Sequence, residues 1–131
     1  MEDSKPKLSL RHIAIKCANL EKCLEFYTNL GFKIDFHPDP DHIFLSSGDD
    51  NLALHRAQPG FNAIKDHQYL DHFGFMVSTP EQVTEWYEYL RKKNVEMLDE
   101  PSAHRDGTFS FYCYDPDRHV VQFTYHPRLK F

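Results

Sequence analysis

The sequence predicts an α+β fold of two tandem βαβββ modules whose curved antiparallel sheets form a ligand-binding cup. The first observation is a repeat, because residues 10–15 read Leu-Arg-His-Ile-Ala-Ile and residues 70–75 read Leu-Asp-His-Phe-Gly-Phe. The second is a helical stripe of apolar residues downstream of each copy. The third is a series of short apolar segments, separated by turn residues, that completes each half. An internal repeat of this kind indicates two similar supersecondary units.

The length supports one domain built from two half-size modules. The chain has 131 residues, and a half of about 60 residues buries too little surface to be stable alone. We therefore predict a flexible arm over residues 1–7, a first module over 8–56, a linker over 57–69, and a second module with a short tail over 70–131. The two halves must pack on each other or on a second chain.

The first module is predicted from alternation and from helix signals. Asn19 is a suitable helix cap, apolar residues then recur at helical spacing, and Gly31 is typical of a helix end. Alternating residues predict that His12 lies on one strand face and Ile13 on the other. The predicted elements are the strand Leu8–Lys16, the helix from Leu20 to Gly31, and the strands Phe32–His37, Ile43–Ser46 and Leu52–Arg56.

The second module repeats this order. Thr79 followed by Pro80 and Gln82 predicts a helix start with a capping box, and Asn94 is predicted to end that helix. Pro116 lies within a predicted Asp-Pro-Asp turn. The predicted elements are the strand Leu70–Ser78, the helix, the strand Val95–Leu98, the loop Glu100–Gly107, and the strands Phe109–Tyr114 and His119–Tyr125.

Composition excludes several classes of function. The formal charge is −5, and no predicted helix carries a cluster of Lys and Arg, so a nucleic-acid partner is not expected. The sequence has no 18-residue apolar run and no apolar signal-peptide core, so we expect no membrane association and a cytoplasmic location. The three cysteines lack metal-binding spacing and are expected to be free thiols.

Several motifs together resemble the vicinal oxygen chelate superfamily. They are the Leu-x-His strand openings, the Phe-Tyr-x-x-Leu-Gly-Phe run over residues 26–32, and the turn at residues 115–117 that leads into Val-Val-Gln-Phe. This superfamily includes glyoxalase I, bleomycin- and fosfomycin-resistance proteins, extradiol dioxygenases and methylmalonyl-CoA epimerase. The resemblance extends from about Leu10 to Tyr125.

The resemblance implies a divalent metal in the cup, with ligands from the first and last strands of each half. By position these ligands are His12, His72 and Gln122, where the family usually has glutamate, while Ala53 occupies the fourth position and cannot bind metal. Iron, zinc, nickel or manganese would suit two imidazoles and an oxygen. Because the amide of glutamine is neutral, we expect weaker metal binding than with glutamate.

The remaining candidates are substrate or acid–base residues. His55 lies two residues from Ala53 and is a candidate base or fourth ligand, against the alternative of a plain half-buried residue. His104 and Arg105 precede the aromatic strand as a histidine-bearing loop does in extradiol dioxygenases, against the alternative of an exposed loop. Tyr112 and Tyr114 are either core or a surface that stacks on a flat substrate.

Two functions follow as hypotheses. The first is a metal-dependent enzyme, of lyase or dioxygenase type, that acts on a small oxygen-chelating substrate. The second is a metal-free protein that binds a small molecule or antibiotic, as bleomycin-resistance proteins do. The resemblance also predicts a homodimer, with the cup built either within one chain or across two.

Overall fold

The computed structural model describes residues 10–61 and 70–128, which form two α+β units divided between Pro59 and Gly60. Each unit has the order βαβββ, so the predicted tandem α+β architecture is confirmed. The predicted arm over residues 1–7, most of the predicted linker and the end of the predicted tail lie outside the described residues.

The first unit is a four-stranded sheet with one helix on one face. The sheet order is β1-β4-β3-β2. In β1 the residues alternate, so that Ile15 is buried while His12, Ala14 and Lys16 are exposed, and Leu54 of β4 is also buried. The elements are β1 (His12–Cys17), α1 (Leu20–Asn29), β2 (Lys33–Asp39), β3 (His42–Ser46) and β4 (Asn51–Arg56).

The second unit has the same plan, with sheet order β5-β8-β7-β6. Its core joins helix and sheet through aromatic contacts: Phe111 stacks on Phe123 at 5.1 Å, and Tyr87 of the helix contacts Phe111 at 5.3 Å. The elements are β5 (Phe73–Val77), α2 (Pro80–Lys92), β6 (Ser102–Ala103), β7 (Phe109–Tyr114) and β8 (Val120–Tyr125).

The prediction of purely antiparallel sheets is wrong, because each sheet is mixed. β1 pairs with β4 in parallel, and β5 pairs with β8 in parallel. The cause is the helix that follows the first strand of each unit. Because of this helix, the second strand runs parallel to the first. The third strand runs in the opposite direction, and the fourth strand is again parallel to the first and pairs with it.

The predicted strand Val95–Leu98 is reduced to a short contact with β7, in which Leu98 N–H donates to the Tyr112 carbonyl and Tyr114 N–H to the Glu96 carbonyl, each at 2.9 Å. Only Met97 forms an isolated bridge, to Cys113, and the edge strand is instead β6, inside the predicted loop Glu100–Gly107. The side chain of Asp99 explains the break, since its carboxylate accepts the Tyr112 backbone N–H at 2.7 Å. A side chain thus takes the place of a ladder hydrogen bond, and the chain leaves the sheet before returning at Ser102.

The sequence signals for helix ends agree well with the structure. The predicted ends of the strands agree with it less closely. The capping box of Thr79 and Gln82 is present, and Gly31 has φ of 104° at the end of α1. The first strand, predicted over Leu8–Lys16, begins at His12 within the described residues. The strand predicted over Leu70–Ser78 begins at Phe73, so His72 immediately precedes it. β2 continues to Asp39, two residues beyond the predicted end at His37.

None of the helices in the described ranges is long and apolar enough to cross a membrane. As predicted, all three cysteines are buried thiols that form no disulfide. Burial, with smaller contributions from Asp115 and Asp99, raises the pKa of Cys113 to about 12.

Because the thiolate is the reactive form, we expect the native protein to resist thiol reagents. A chromogenic disulfide reagent at pH 8 should label fewer than one thiol in the native chain and all three after denaturation. Rapid labelling of one thiol in the folded protein would contradict this prediction.

Raising the pH from 9 toward 12 should also lower the free energy of unfolding, because the Cys113 thiol deprotonates more readily in the unfolded chain.

Candidate functional site

The first unit carries its candidate residues on the sheet face opposite α1. The parallel pairing of β1 and β4 places His12 beside Asn51, Ala14 beside Ala53, and Lys16 beside His55. All of these positions lie on one face, because side chains alternate along a strand. The pairing brings His12 and His55 to the same face of the first unit. His12 lies two residues before Ala14, and His55 lies two residues after Ala53, the residue that pairs with Ala14.

The His12 ring is held by its neighbour in register. Its Nδ1 lies 2.8 Å from Oδ1 of Asn51. Because an amide oxygen only accepts, Nδ1 carries the proton and donates it. In the neutral ring the Nε2 atom therefore presents the lone pair, and within the described ranges no residue hydrogen-bonds to it. This arrangement is typical of metal-binding histidines, whose second nitrogen donates to an oxygen that fixes the ring.

His72 has the same arrangement in the second unit, with a different acceptor. Its Nδ1 lies 2.6 Å from a carboxylate oxygen of Asp71. The carboxylate again fixes the proton on Nδ1 and leaves the Nε2 lone pair available. Two repeat-equivalent histidines thus share one tautomer, although the residues that impose it differ.

Gln122 lies across from a glycine on the same sheet. Gly74 pairs with Gln122, just as Ala14 pairs with Ala53 in the first unit, so Gln122 and Ala53 occupy equivalent positions. A Cβ at Gly74 would lie 2.8 Å from the carbonyl oxygen of Gln122 and 3.0 Å from its Cβ. The absence of a side chain at Gly74 therefore makes room for Gln122.

We expect Gly74→Ala to lower the free energy of unfolding by about 1–3 kcal/mol, the usual cost of forcing an atom into a packed place. The strand or the Gln122 side chain must shift, so any ligand that contacts Gln122 should also bind less tightly. Chemical denaturation measures the first effect. Ala14→Ser is the matched control, because it adds one atom at the equivalent exposed position. Equal stability of Gly74→Ala and the wild type would contradict the close approach.

The neighbours of Gln122 include two other candidates. Tyr112 pairs directly with Gln122 on β7, and the ring of His72 packs edge-on against Tyr112 at 5.1 Å. His104 also lies over this face, since its Nε2 is 3.0 Å from Oγ of the buried Ser110, two residues from Tyr112. The second unit therefore brings His72, Tyr112, Gln122 and His104 to one sheet face.

Arg105 and Tyr114 have other surroundings. Arg105 is exposed in the tight hairpin turn between β6 and β7, where the Gly107 N–H donates to the His104 carbonyl at 3.0 Å. The Tyr114 ring is covered on one face by the Arg118 guanidinium at 3.9 Å, and that guanidinium also pairs with Glu96. A substrate can therefore stack only on the other face of Tyr114.

His55 lies in an aromatic environment on β4. Its ring packs edge-on against His42 at 4.7 Å and against Phe44 at 6.4 Å. Burial lowers its pKa, and the nearby imidazoles of His42 and His12 add to the effect. The neutral form, which is both a base and a ligand, is therefore favoured.

Three residues that hold the candidates in place were not predicted from the sequence. They are Asn51, which holds His12; Asp71, which holds His72; and Ser110, which holds His104. Asp71 directly precedes its histidine, and that signal was readable. Asn51 is recognisable only once β1 and β4 are known to be parallel and in this register.

Comparison with known families identifies the chain. Residues 9–123 match the family described as Glyoxalase/Bleomycin resistance protein/Dioxygenase superfamily. This protein belongs to that superfamily. The match spans both units, and the predicted resemblance is thereby confirmed.

Solved structures of similar fold support the assignment. A lactoylglutathione lyase from Agrobacterium tumefaciens has a TM-score of 0.74 at 20% identity, covering 92% of this chain and 96% of that one. An integron cassette protein from the mobile metagenome of the Halifax Harbour sewage outfall has a TM-score of 0.73 at 26% identity, covering 89% and 97%. A search of curated proteins gave no significant match. At such identities the structures establish the shared glyoxalase-superfamily fold, and not an activity.

The donor set of this superfamily member fits a divalent ion only in part. Two imidazoles with fixed Nε2 lone pairs suit the nitrogen-preferring first-row metals. Gln122 can add an oxygen, but its amide neutralises no charge, and Ala53 offers no donor. In either unit, the imidazole is therefore the chief candidate donor.

Proposed function

We propose that this protein is a metal-dependent enzyme of lyase or extradiol-dioxygenase type, acting on a small molecule that chelates through neighbouring oxygens. His12, His72 and Gln122 are the proposed metal-binding residues. The observation that carries the proposal is the shared tautomer of the two histidines, each with Nδ1 held by an oxygen acceptor. Membership of the superfamily supports the same assignment.

The bound ion would supply Lewis acidity toward the oxygens of the substrate. The chain's own residues supply the rest of the proposed chemistry. His55 is the proposed base, since burial and neighbouring imidazoles favour its neutral form. His104 is the proposed second acid–base group, positioned by Ser110 through a 3.0 Å hydrogen bond. Arg105 and Tyr112 are the proposed substrate contacts, and Tyr114 contributes one ring face.

A metal-free binding function is the second candidate, and one observation favours it. Phe36 is 60% exposed and stacks on Phe44 at 6.0 Å, which leaves a flat aromatic surface beside the small side chain of Ala53. Such a surface suits a planar or apolar ligand. Both candidate functions require a small-molecule ligand. The homodimer and the cytoplasmic location stay predictions.

Metal analysis separates the two candidates. Protein purified without chelator should contain a first-row transition metal, or should bind zinc or iron(II) on titration after chelator treatment. The double variant His12→Ala/His72→Ala should bind one ion fewer than the wild type. His37→Ala, at an exposed histidine on β2, is the matched control and should bind as many ions as the wild type. Identical metal binding in the double variant and the wild type would overturn the enzyme proposal.

A further inference from the structure

We propose that His42 and His55 form a second metal site on the first unit, which takes a nitrogen-preferring divalent ion such as zinc, nickel or copper. This site shares no residue with the proposed His12, His72 and Gln122 set. It does not depend on the proposed function, and the two are tested separately below.

The two imidazoles are adjacent because their strands are paired in register. His42 of β3 lies directly opposite His55 of β4 in an antiparallel pair. Directly opposite side chains on such a pair have Cβ atoms about 4.5–5.5 Å apart and lie on the same face. Two histidines at such a position can bind a single ion without any change in the backbone.

The ring separation agrees with a shared ion. The ring centroids lie 4.7 Å apart, with the planes at 74°. Two imidazoles bound to one tetrahedral zinc, with Zn–N bonds of about 2.0–2.1 Å, have ring centroids about 5 Å apart. The separation of the rings is therefore close to that of two ligands of one ion, and rotation about the side-chain bonds would direct one nitrogen of each ring at it.

Both rings have a nitrogen lone pair to offer. Nδ1 of His42 lies 2.8 Å and 3.0 Å from the two carboxylate oxygens of Asp39, so the neutral ring carries its proton on Nδ1 and its lone pair on Nε2. This is again the histidine–carboxylate arrangement that orients metal ligands. The His55 ring makes no hydrogen bond to any residue in the described ranges, although it is half-buried.

The surroundings of the pair include a carboxylate that attracts a cation. The Asp39 carboxylate lies 2.8 Å and 3.0 Å from Nδ1 of His42. Lys16, beside His55 in register, is exposed and extends its charge into solvent. An ion on the pair would use the lone pair that the acid–base role of His55 requires, so the two roles exclude each other at any one time.

Calorimetric titration of the chelator-treated full chain with zinc chloride tests this site. In the His12→Ala/His72→Ala background, where the other proposed site is removed, we expect one zinc ion to bind. Adding His42→Gln or His55→Gln should each weaken that binding by roughly tenfold or more, since losing a ligand costs at least as much as losing its orienting partner. His37→Gln on β2 is the control and should leave zinc affinity unchanged.

Two outcomes would overturn the proposal: no zinc binding in the double background, or zinc binding that neither glutamine substitution weakens. If the double background fails to fold, the wild type still gives an answer by nuclear magnetic resonance. Zinc should then shift the imidazole signals of His42 and His55 together. Signals that stay unshifted at saturating zinc would contradict the proposed His42 and His55 site. Failure of the His12 and His72 site is recognised separately, by equal zinc binding in the wild type and the double variant.

Discussion

Replacing Asp115 with alanine should lower the free energy of unfolding by about 3–5 kcal/mol, because three buried donors lose their acceptor at about 1–3 kcal/mol each. The Asp115 side chain is 0% exposed and that of His119 3%, with Nδ1 of His119 2.7 Å from the carboxylate. The same carboxylate accepts the backbone N–H groups of Asp117 at 2.9 Å and His119 at 3.0 Å. Its removal leaves three buried donors without this acceptor.

Denaturant unfolding followed by circular dichroism measures this effect. Asp106→Ala is the matched control, because Asp106 also accepts from the residue two positions on, Thr108, but does so in an exposed turn. That control should change stability little. A loss below about 1 kcal/mol for Asp115→Ala would show that the pair does not hold the turn before β8.

Replacing Gln122 with glutamate should raise the affinity of the proposed His12 and His72 site for zinc or iron(II) by roughly tenfold or more. Near a protein surface a pair of opposite unit charges 4 Å apart attracts by about 4 kcal/mol, of which desolvation removes a part. Each 1.4 kcal/mol that remains is a factor of ten in affinity. Glutamate has the shape of glutamine, and Gly74 leaves room for either, so the fold should not change.

The comparison is best made with His42 and His55 both replaced by glutamine, so that the second proposed site does not contribute. Thr124→Glu is the matched control, because it adds the same charge on the same face of β8, two residues further along. An equal gain in both variants would indicate a general charge effect. No gain in Gln122→Glu would place Gln122 outside the metal site.

Local patterns in the sequence predicted the parts of this fold that depend on side-chain periodicity. The alternation in the first strand separated exposed His12 from buried Ile15, and the capping box of Thr79 marked the start of α2. These features depend on neighbouring residues alone. The repeat then gave two units with the same order of elements.

Pairing between strands was not predictable in the same way. Whether β4 lies beside β1, and in which direction, depends on how the helix returns the chain, and no short pattern records it. That pairing puts Asn51 against His12, so the residue that fixes the ring was missed. The break at Asp99 was missed for a similar reason, because a carboxylate bound to a backbone N–H on β7 replaces a strand hydrogen bond.

The central claim is that His12 and His72 are ligands fixed in one tautomer, and imidazole nitrogen resonances test it most directly. In the chelator-treated protein, the neutral form of both rings should carry its proton on Nδ1, as their bonds to Asn51 and Asp71 require. One equivalent of zinc or iron(II) at this site should then change both Nε2 resonances together. A neutral ring that carries its proton on Nε2, or Nε2 resonances that saturating metal leaves unchanged, would contradict the account.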